Sequence, residues 1–313
     1  MNVFADSLIQ ELDMSNSLSM IRLTSLVAAF TAVLALAACG GGGGDIVGTG
    51  GTGVISGEVV KGPVANAAVT AFAVSGGQVG AQLGTAATDT SGRFMMDIGS
   101  YAGALMLRAS GGSYKDEATG QVMSMGAEIM TATIPSVGAG STTTVQVTPV
   151  TAMAQAMAQR MGGGMTEANI TAANAAMGAY FGINDILRVQ PMNPLVVGSG
   201  ATATQDSRNY GMTLAAMSQY ARTAGMSASS ALVTAMMKDA SDGVMDGSAA
   251  GAQIQMGMGG MMGGSSMMPA TAGSSGLAAA LTSYMNSGAN MSGLNPSDVA
   301  ALIQRLTTST GRI

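Results

Sequence analysis

The chain contains no histidine and no tryptophan, a single cysteine, and only 4% aromatic and 9% charged residues. Each shortage closes a class of function. Without histidine there is no Ser-His-Asp triad and no imidazole base, and the commonest metal ligand is missing. With one cysteine no disulfide forms within the chain, so stability rests on buried apolar side chains. Scarce aromatics leave the core to Ala, Val, Leu, Ile and an unusual 29 Met, a flexible side chain that fills irregular gaps. Charged residues stand far below the roughly 25% of ordinary domains, and the net charge is −5. So few cations give no electrostatic footprint for nucleic acid, which is excluded as a partner. The lysines are Lys61, Lys115 and Lys238, and none sits in a Ser-x-x-Lys motif.

What is present begins with an apolar run. Residues 23–38 are apolar apart from Thr24, Ser25 and Thr31. A membrane span needs roughly 20 apolar residues, so this run has instead the length of a signal-peptide core with small residues at its end. It closes on Leu36-Ala37-Ala38-Cys39, followed by the glycines Gly40 to Gly44. Arg22 supplies the positive flank, whereas residues 1–19 carry Asp6, Glu11 and Asp13 and no cation, which is wrong for a signal peptide. Translation is therefore expected to start at Met20, and residues 1–38 to be a signal segment.

Leu-Ala-Ala-Cys resembles the lipobox of bacterial lipoprotein precursors. The resemblance implies cleavage before Cys39, diacylglycerol on its sulfur and an acylated amine, so the membrane is a partner through lipid on Cys39. Gly40 in place of Asp implies sorting to the outer membrane. Several acyl chains hold a protein firmly where one binds only marginally. Residues 39–52 read as a Gly-rich tether, since such chains behave as random coils.

From residue 53 to 149 the texture is β. Strands are expected at 53–60, 68–74, 82–88, 93–98, 104–110, 128–134 and 142–147, separated by Gly, Asn, Asp and Ser turns. Leu105, Leu107 and Ala109 alternate against Arg108, and Thr143, Val145 and Val147 share a face. Short strands with regular turn signals predict a β-sandwich. Two motifs add to this. Gly57-Glu58-Val59-Val60-Lys61-Gly62-Pro63-Val64-Ala65-Asn66-Ala67-Ala68-Val69 and Thr88-Asp89-Thr90-Ser91-Gly92-Arg93-Phe94 resemble carboxypeptidase-regulatory-like, transthyretin-type domains, as does the later Ala109 to Tyr114. That resemblance implies a folding or binding module and transfers no catalytic residue.

Pro149 marks a change to helical spacing. Met153, Met157 and Met161 recur on one face, ended by Gly162 to Gly164. Thr166 caps a helix to Phe181 carrying Ile170, Ala173 and Met177. Further helices are expected at 206–223, at 228–240 with Ser227 as cap, at 277–285 and at 296–306, the last with Pro296 in its first turn. Residues 248–275 form a Met/Gly-rich low-complexity loop. The overall expectation is an α+β chain, an N-terminal seven-stranded antiparallel β-sandwich over 53–149 followed by a small, partly irregular helical bundle over 150–313. This arrangement resembles uncharacterised proteobacterial lipoproteins.

Three constellations invite chemistry. Met256, Met258, Met261, Met262, Met267 and Met268 offer soft thioethers between glycines, a donor set for Cu(I) or Ag(I). The bland account is a flexible loop in a chain that uses Met everywhere. Asp239 to Gly247 suggests a Ca²⁺ loop, but counted from Asp239 the fifth and sixth positions are Gly243 and Val244, where an EF-hand needs an oxygen ligand and Gly. A helix end followed by Asp/Gly turns explains it better. Asp116 and Glu117 read as solvated turn residues. The expectation is therefore a non-enzymatic, lipid-anchored outer-membrane protein without a cofactor. It would act as a structural, adhesive or binding module toward an envelope protein or glycan. The alternative is a Met-rich Cu(I)-binding lipoprotein.

Overall fold

A computed structural model describes residues 51–256 and 266–313. The strands, in chain order, are β1 (Val54–Val59), β2 (Ala68–Ser75), β3 (Gln78–Ala87), β4 (Arg93–Asp97), β5 (Gly103–Ser110), β6 (Ser113–Lys115), β7 (Val122–Ser124), β8 (Ile129–Val137) and β9 (Thr142–Val147). Two-residue strands follow much later, β10 (Ser248–Ala249), β11 (Ala252–Gln253), β12 (Gln255–Met256) and β13 (Ser266–Met267). Period-two burial decides the early strands: Leu105, Leu107 and Ala109 are buried while Arg108 is exposed.

The principal strands pair into a three-stranded sheet, β4-β1-β9, and a four-stranded sheet, β3-β2-β5-β8. Ile55, Phe94 and Val145 of the first share one apolar cluster with Val69, Leu107 and Ile134 of the second. Each such buried side chain contributes about 1.5–3 kcal/mol. The expectation of purely antiparallel pairing is corrected here, because β1 pairs with β9 in parallel, Val54 opposite Thr142 through Val59 opposite Val147. Alternation reports which face is buried and is blind to strand direction. The β6–β7 hairpin, with Tyr114 opposite Met123, was also unforeseen.

Only Thr148 separates β9 from α1 (Pro149–Arg160). Its hydroxyl accepts the Thr151 N–H, the Thr151 hydroxyl oxygen in turn accepts the Thr148 N–H, and Pro149 occupies the first turn. This reciprocal cap fixes the helix start. α2 (Glu167–Phe181) begins on Thr166, whose hydroxyl accepts the Asn169 N–H, and ends on Gly182 at φ 65°. α3 (Gln205–Thr223), α4 (Ser230–Ala240), α5 (Ser275–Met285) and α6 (Ala300–Thr308) follow, the last preceded by a 3₁₀ turn over Pro296–Val299. Ser227 is not a cap; the residue before α4 is Ser229. No described helix is long and apolar enough to cross a membrane.

The helices do not hang loosely from the sheets. A second apolar cluster joins Val74 of β2 and Met106 of β5 to Ala158, Met165, Ile170 and Ala173, so α1 and α2 cover the outer face of the four-stranded sheet. Ile170, Ala173, Met177 and Phe181 are all fully buried, as their spacing predicts. The described residues from 51 on belong to one compact unit, and the change of texture at Pro149 lies inside it. The described molecule is thus mixed α+β, with the outer face of the three-stranded sheet left uncovered by α1 and α2.

Candidate functional site

The densest cluster of reactive side chains lies where the sheets meet the helices. Lys61 follows β1 in a turn with Gly62 and Pro63. Gly62 sits at φ 44°, and a Cβ there would fall 2.4 Å from the Lys115 carbonyl oxygen. A side chain is thereby excluded, and the Gly62 N–H reaches Glu117 Oε1 at 2.9 Å. Lys61 Nζ donates to Glu117 Oε2 at 3.0 Å and also to Ser218 Oγ of α3. The Ser218 hydroxyl donates to the same Glu117 oxygen at 2.5 Å. The ammonium lies 5.6 Å from the centre of the Tyr114 ring.

A second chain of hydrogen bonds runs alongside. Asp116 Oδ1 accepts from the Ala118 and Thr119 N–H groups and the Thr119 hydroxyl, a local Asx turn. Its Oδ2 accepts the Ser229 hydroxyl at 2.6 Å. Ser229 Oγ lies 3.0 Å from the Tyr114 hydroxyl, which accepts the Ser230 N–H at 3.1 Å. The directions are consistent along the line: Ser230 N–H to Tyr114, Tyr114 to Ser229, Ser229 to Asp116. The first turn of α4 is therefore capped by a tyrosine from β6. Arg222 adds a bond to the Ala118 carbonyl at 2.7 Å.

Asp116 and Glu117 are not solvated turn residues, as expected from sequence, but 1% and 2% exposed. Helices that follow a hundred residues later cover them. Burial would lower the Lys61 ammonium, but the charges of Glu117, Tyr114 and Asp116 outweigh it and hold its pKa above the ordinary value. Burial pushes the Glu117 carboxyl up, against the pull of Lys61 and Ser218. Asp116 is shifted down, because Lys61 and the bonds from Ser229 and Thr119 overcome its own burial.

Lys61 and Ser218 form the pairing of a Ser-Lys dyad, brought together from distant positions without a local motif. Nucleophilic use would need a neutral amine and an open hydroxyl. Here the amine stays charged, and Lys61 and Ser218 are 0% and 1% exposed. A cleft of about 190 Å³ passes beside the cluster, bordered by Glu117 and Gly62 but by neither Lys61 nor Ser218. The arrangement fastens the two layers together.

The other sequence-derived sites are distributed differently. Cys39, the signal segment with its start at Met20, and the tether up to residue 50 lie outside the described residues. So do Met258, Met261 and Met262. Met256 and Met268 are buried with Ile254 in the main apolar cluster, and Met267 is half-exposed. Gln255 and Met256 pair with Met267 and Ser266, and Met256 and Met267 border a groove of about 570 Å³ beside Tyr220. Among the described residues no three His, Cys, Asp or Glu side chains converge as a metal site. In the Asp239 loop each acid is engaged locally. Asp239 Oδ1 accepts from the Asp246 and Gly247 N–H groups, Asp242 Oδ2 from Ala250, and Asp246 Oδ1 from Ser248. Asp239 Oδ2 is buried without a partner, and burial pushes this carboxyl up to about 7.

No family model and no curated protein matches this chain. Among solved structures, (S)-allantoin synthase is similar over 32% of this chain and 41% of its own, at 11% identity and a TM-score of 0.23. A 9R-lipoxygenase from Cyanothece PCC8801 is similar over 30% of this chain and 16% of its own, at 17% identity and a TM-score of 0.18. The chain thus spans well under half the length of either, and likenesses this weak carry no argument about fold or activity.

Proposed function

We propose that the protein is a non-enzymatic, lipid-anchored component of the outer membrane that acts as a structural, adhesive or binding module. The observation that supports a non-catalytic reading is the fate of Lys61, Glu117 and Ser218. Lys61 and Ser218, the pair best suited to covalent chemistry, are buried between sheet and helix, and neither lines the cleft that passes beside Glu117. We also read the three- and four-stranded sheets as the two leaves of a seven-stranded, carboxypeptidase-regulatory-like sandwich. Two placements support this. Residues 57–69 run from β1 through a turn into β2, and residues 88–94 make a tight turn that delivers the buried Phe94 into β4. Asp89 Oδ1 holds that turn by accepting the Ser91 and Arg93 N–H groups.

Anchoring through Cys39 is tested by fractionating cells that express the full precursor or its Cys39→Ser variant. The original is expected in the outer-membrane fraction and the variant in the soluble envelope fraction; identical distribution of the two would refute lipid anchoring. Recovery of an envelope component in a pull-down from solubilised membranes supports the binding role. Recovery of the protein alone counts against it.

The second reading, Cu(I) or Ag(I) binding, is favoured by one placement: Met256 and Met267, on neighbouring rungs of the β12–β13 pair, border the same groove. Its test is Cu(I) titration with Met258, Met261 and Met262 changed to Leu. Unchanged binding, or none in the original, removes it.

A further inference from the structure

We infer that the groove between α1, α4 and the start of β8 binds a small aliphatic monocarboxylate, such as the anion of a fatty acid. The inference rests on the reading of the chain as a binding module and names the ligand class. Gln155, Gln159 and Arg160 of α1 border the groove together with Thr234 and Lys238 of α4 and with Glu128 just ahead of β8. Its volume is about 850 Å³, within the roughly 300–1,000 Å³ of small-ligand sites.

Charge selects the head group. Arg160 and Lys238 are exposed, and among the described residues neither makes an ion pair. Glu128 is the one acid on this groove, and its Oε2 accepts the Thr234 hydroxyl. Two cations against one carboxylate leave an excess of one positive charge, in a chain whose net charge is −5. The neutral groups strengthen the bias. Gln155 Oε1 accepts the Thr131 hydroxyl at 3.1 Å, and Gln159 Oε1 accepts the Gln155 amide at 2.8 Å. Both amide oxygens are thus engaged, and Gln159 Nε2 is left as a donor. One carboxylate matches the excess charge, whereas a phosphate monoester carries about −1.5 to −2 at neutral pH and exceeds it. Each cation also stands in the last turn of its helix, where it offsets the helix dipole. That role requires no common groove, and stability measurements separate it from binding.

The walls select the tail. Ala127, Ile129, Ala156 and Met237 border the groove, and among the described residues no aromatic side chain does. A ligand ring would find nothing to stack on. A flexible alkyl chain instead meets aliphatic surface and a Met side chain that adapts its shape.

The test is calorimetric titration of the full chain carrying Cys39→Ser, so that no attached lipid competes. The probes are monomeric dodecanoate, dodecanol, dodecyl phosphate and dodecyltrimethylammonium. Dodecanoate is expected to bind at least tenfold more tightly than each of the others. Arg160→Gln with Lys238→Gln is expected to weaken it by tenfold or more, the loss of charged hydrogen bonds, with little change in thermal midpoint because both sites are exposed. Ala156→Glu places a carboxylate four residues ahead of Arg160, where it pairs with that cation and supports the helix. It should weaken dodecanoate while preserving stability, and Ala156→Gln should weaken it less. Equal binding of dodecanol or dodecyl phosphate, binding indifferent to these substitutions, or capture by phosphatidylglycerol vesicles without dodecanoate binding would each overturn the inference. None of these outcomes bears on anchoring through Cys39 or on an envelope partner, which fractionation and pull-down read separately.

Discussion

Lys61 shows what a single side chain does to the rest of the molecule. Its ammonium is buried against Glu117 and Ser218. Removing one member of a buried ion pair strands the other and is strongly destabilising, by about 3–5 kcal/mol, whereas replacing both with apolar groups is often near neutral. Lys61→Met should therefore lose most of that range in urea unfolding, and Lys61→Met with Glu117→Leu should recover much of it. Asp239 yields a prediction about pH. Its folded pKa is about 7, raised chiefly by burial, while an unfolded aspartate titrates at about 3.9. The unfolded chain therefore releases this proton first, and stability falls as pH rises through that window and levels off above it. Asp239→Asn keeps the acceptor for the Asp246 and Gly247 N–H groups and cannot ionise. Its thermal midpoint should fall less than the original's between pH 5 and 8, and parallel curves would refute the shift. The Asp239 stretch was legible as a helix end with Asp/Gly turns, but its burial was not, and the Lys61–Glu117 pair was not visible at all. The Asp116–Thr119 Asx pattern was legible as a turn, but its burial depends on Ser218 and Ser229, which local spacing does not connect to it.

At the level of elements, the sequence carried more. Each principal strand and helix has its own periodicity and its own punctuation, so Thr142–Val147 and the helix to Phe181 fall where alternation and the Thr166 cap place them. Strand direction and the true start of α4 were hidden, because both are set by partners elsewhere. Two substitutions probe element ends and crossings. Thr148 Oγ1 accepts from the Thr151 N–H and lies 2.7 Å from the Tyr210 hydroxyl. Thr148→Ala should cost about 1–2 kcal/mol in denaturant unfolding, and Thr148→Ser much less. Gly211 lies inside α3, where Gly→Ala usually gains about 1 kcal/mol. A Cβ at Gly211 would meet the Met192 carbonyl oxygen at 2.0 Å. Gly211→Ala is therefore expected to reverse sign and lose about 1–3 kcal/mol, as overpacked sites do. A gain in stability would show that α3 can withdraw from the Met192 loop.

For the molecule as a whole, the α+β character and the switch at Pro149 were legible, but the way the layers join was not. The joint is made of two apolar clusters and one buried polar network, all with members before and after Thr148. Sheet and helix should consequently unfold together. Calorimetry of residues 51–313 is expected to give one transition, and the separate piece 51–148 to lack a folded proton spectrum, since Lys61, Tyr114, Asp116 and Glu117 lose their helical partners. Two transitions, or a folded piece, would show the joint to be weaker than its burial suggests.

The position of β1 has a mechanical consequence. It is the first strand of the described chain and the middle strand of its sheet, with β4 antiparallel on one side and β9 parallel on the other. Tension arriving through the preceding residues enters at Val54 and meets two rows of backbone hydrogen bonds at once. Those rows share a load along the strand, where an edge strand would peel away rung by rung. Beyond Val59 the same strand runs directly into Lys61, so its far end is held by the ion pair to Glu117 and the bond to Ser218. A pull applied ahead of Val54 is thus passed from the sheet into α3, and the buried charge that fastens the layers also resists it.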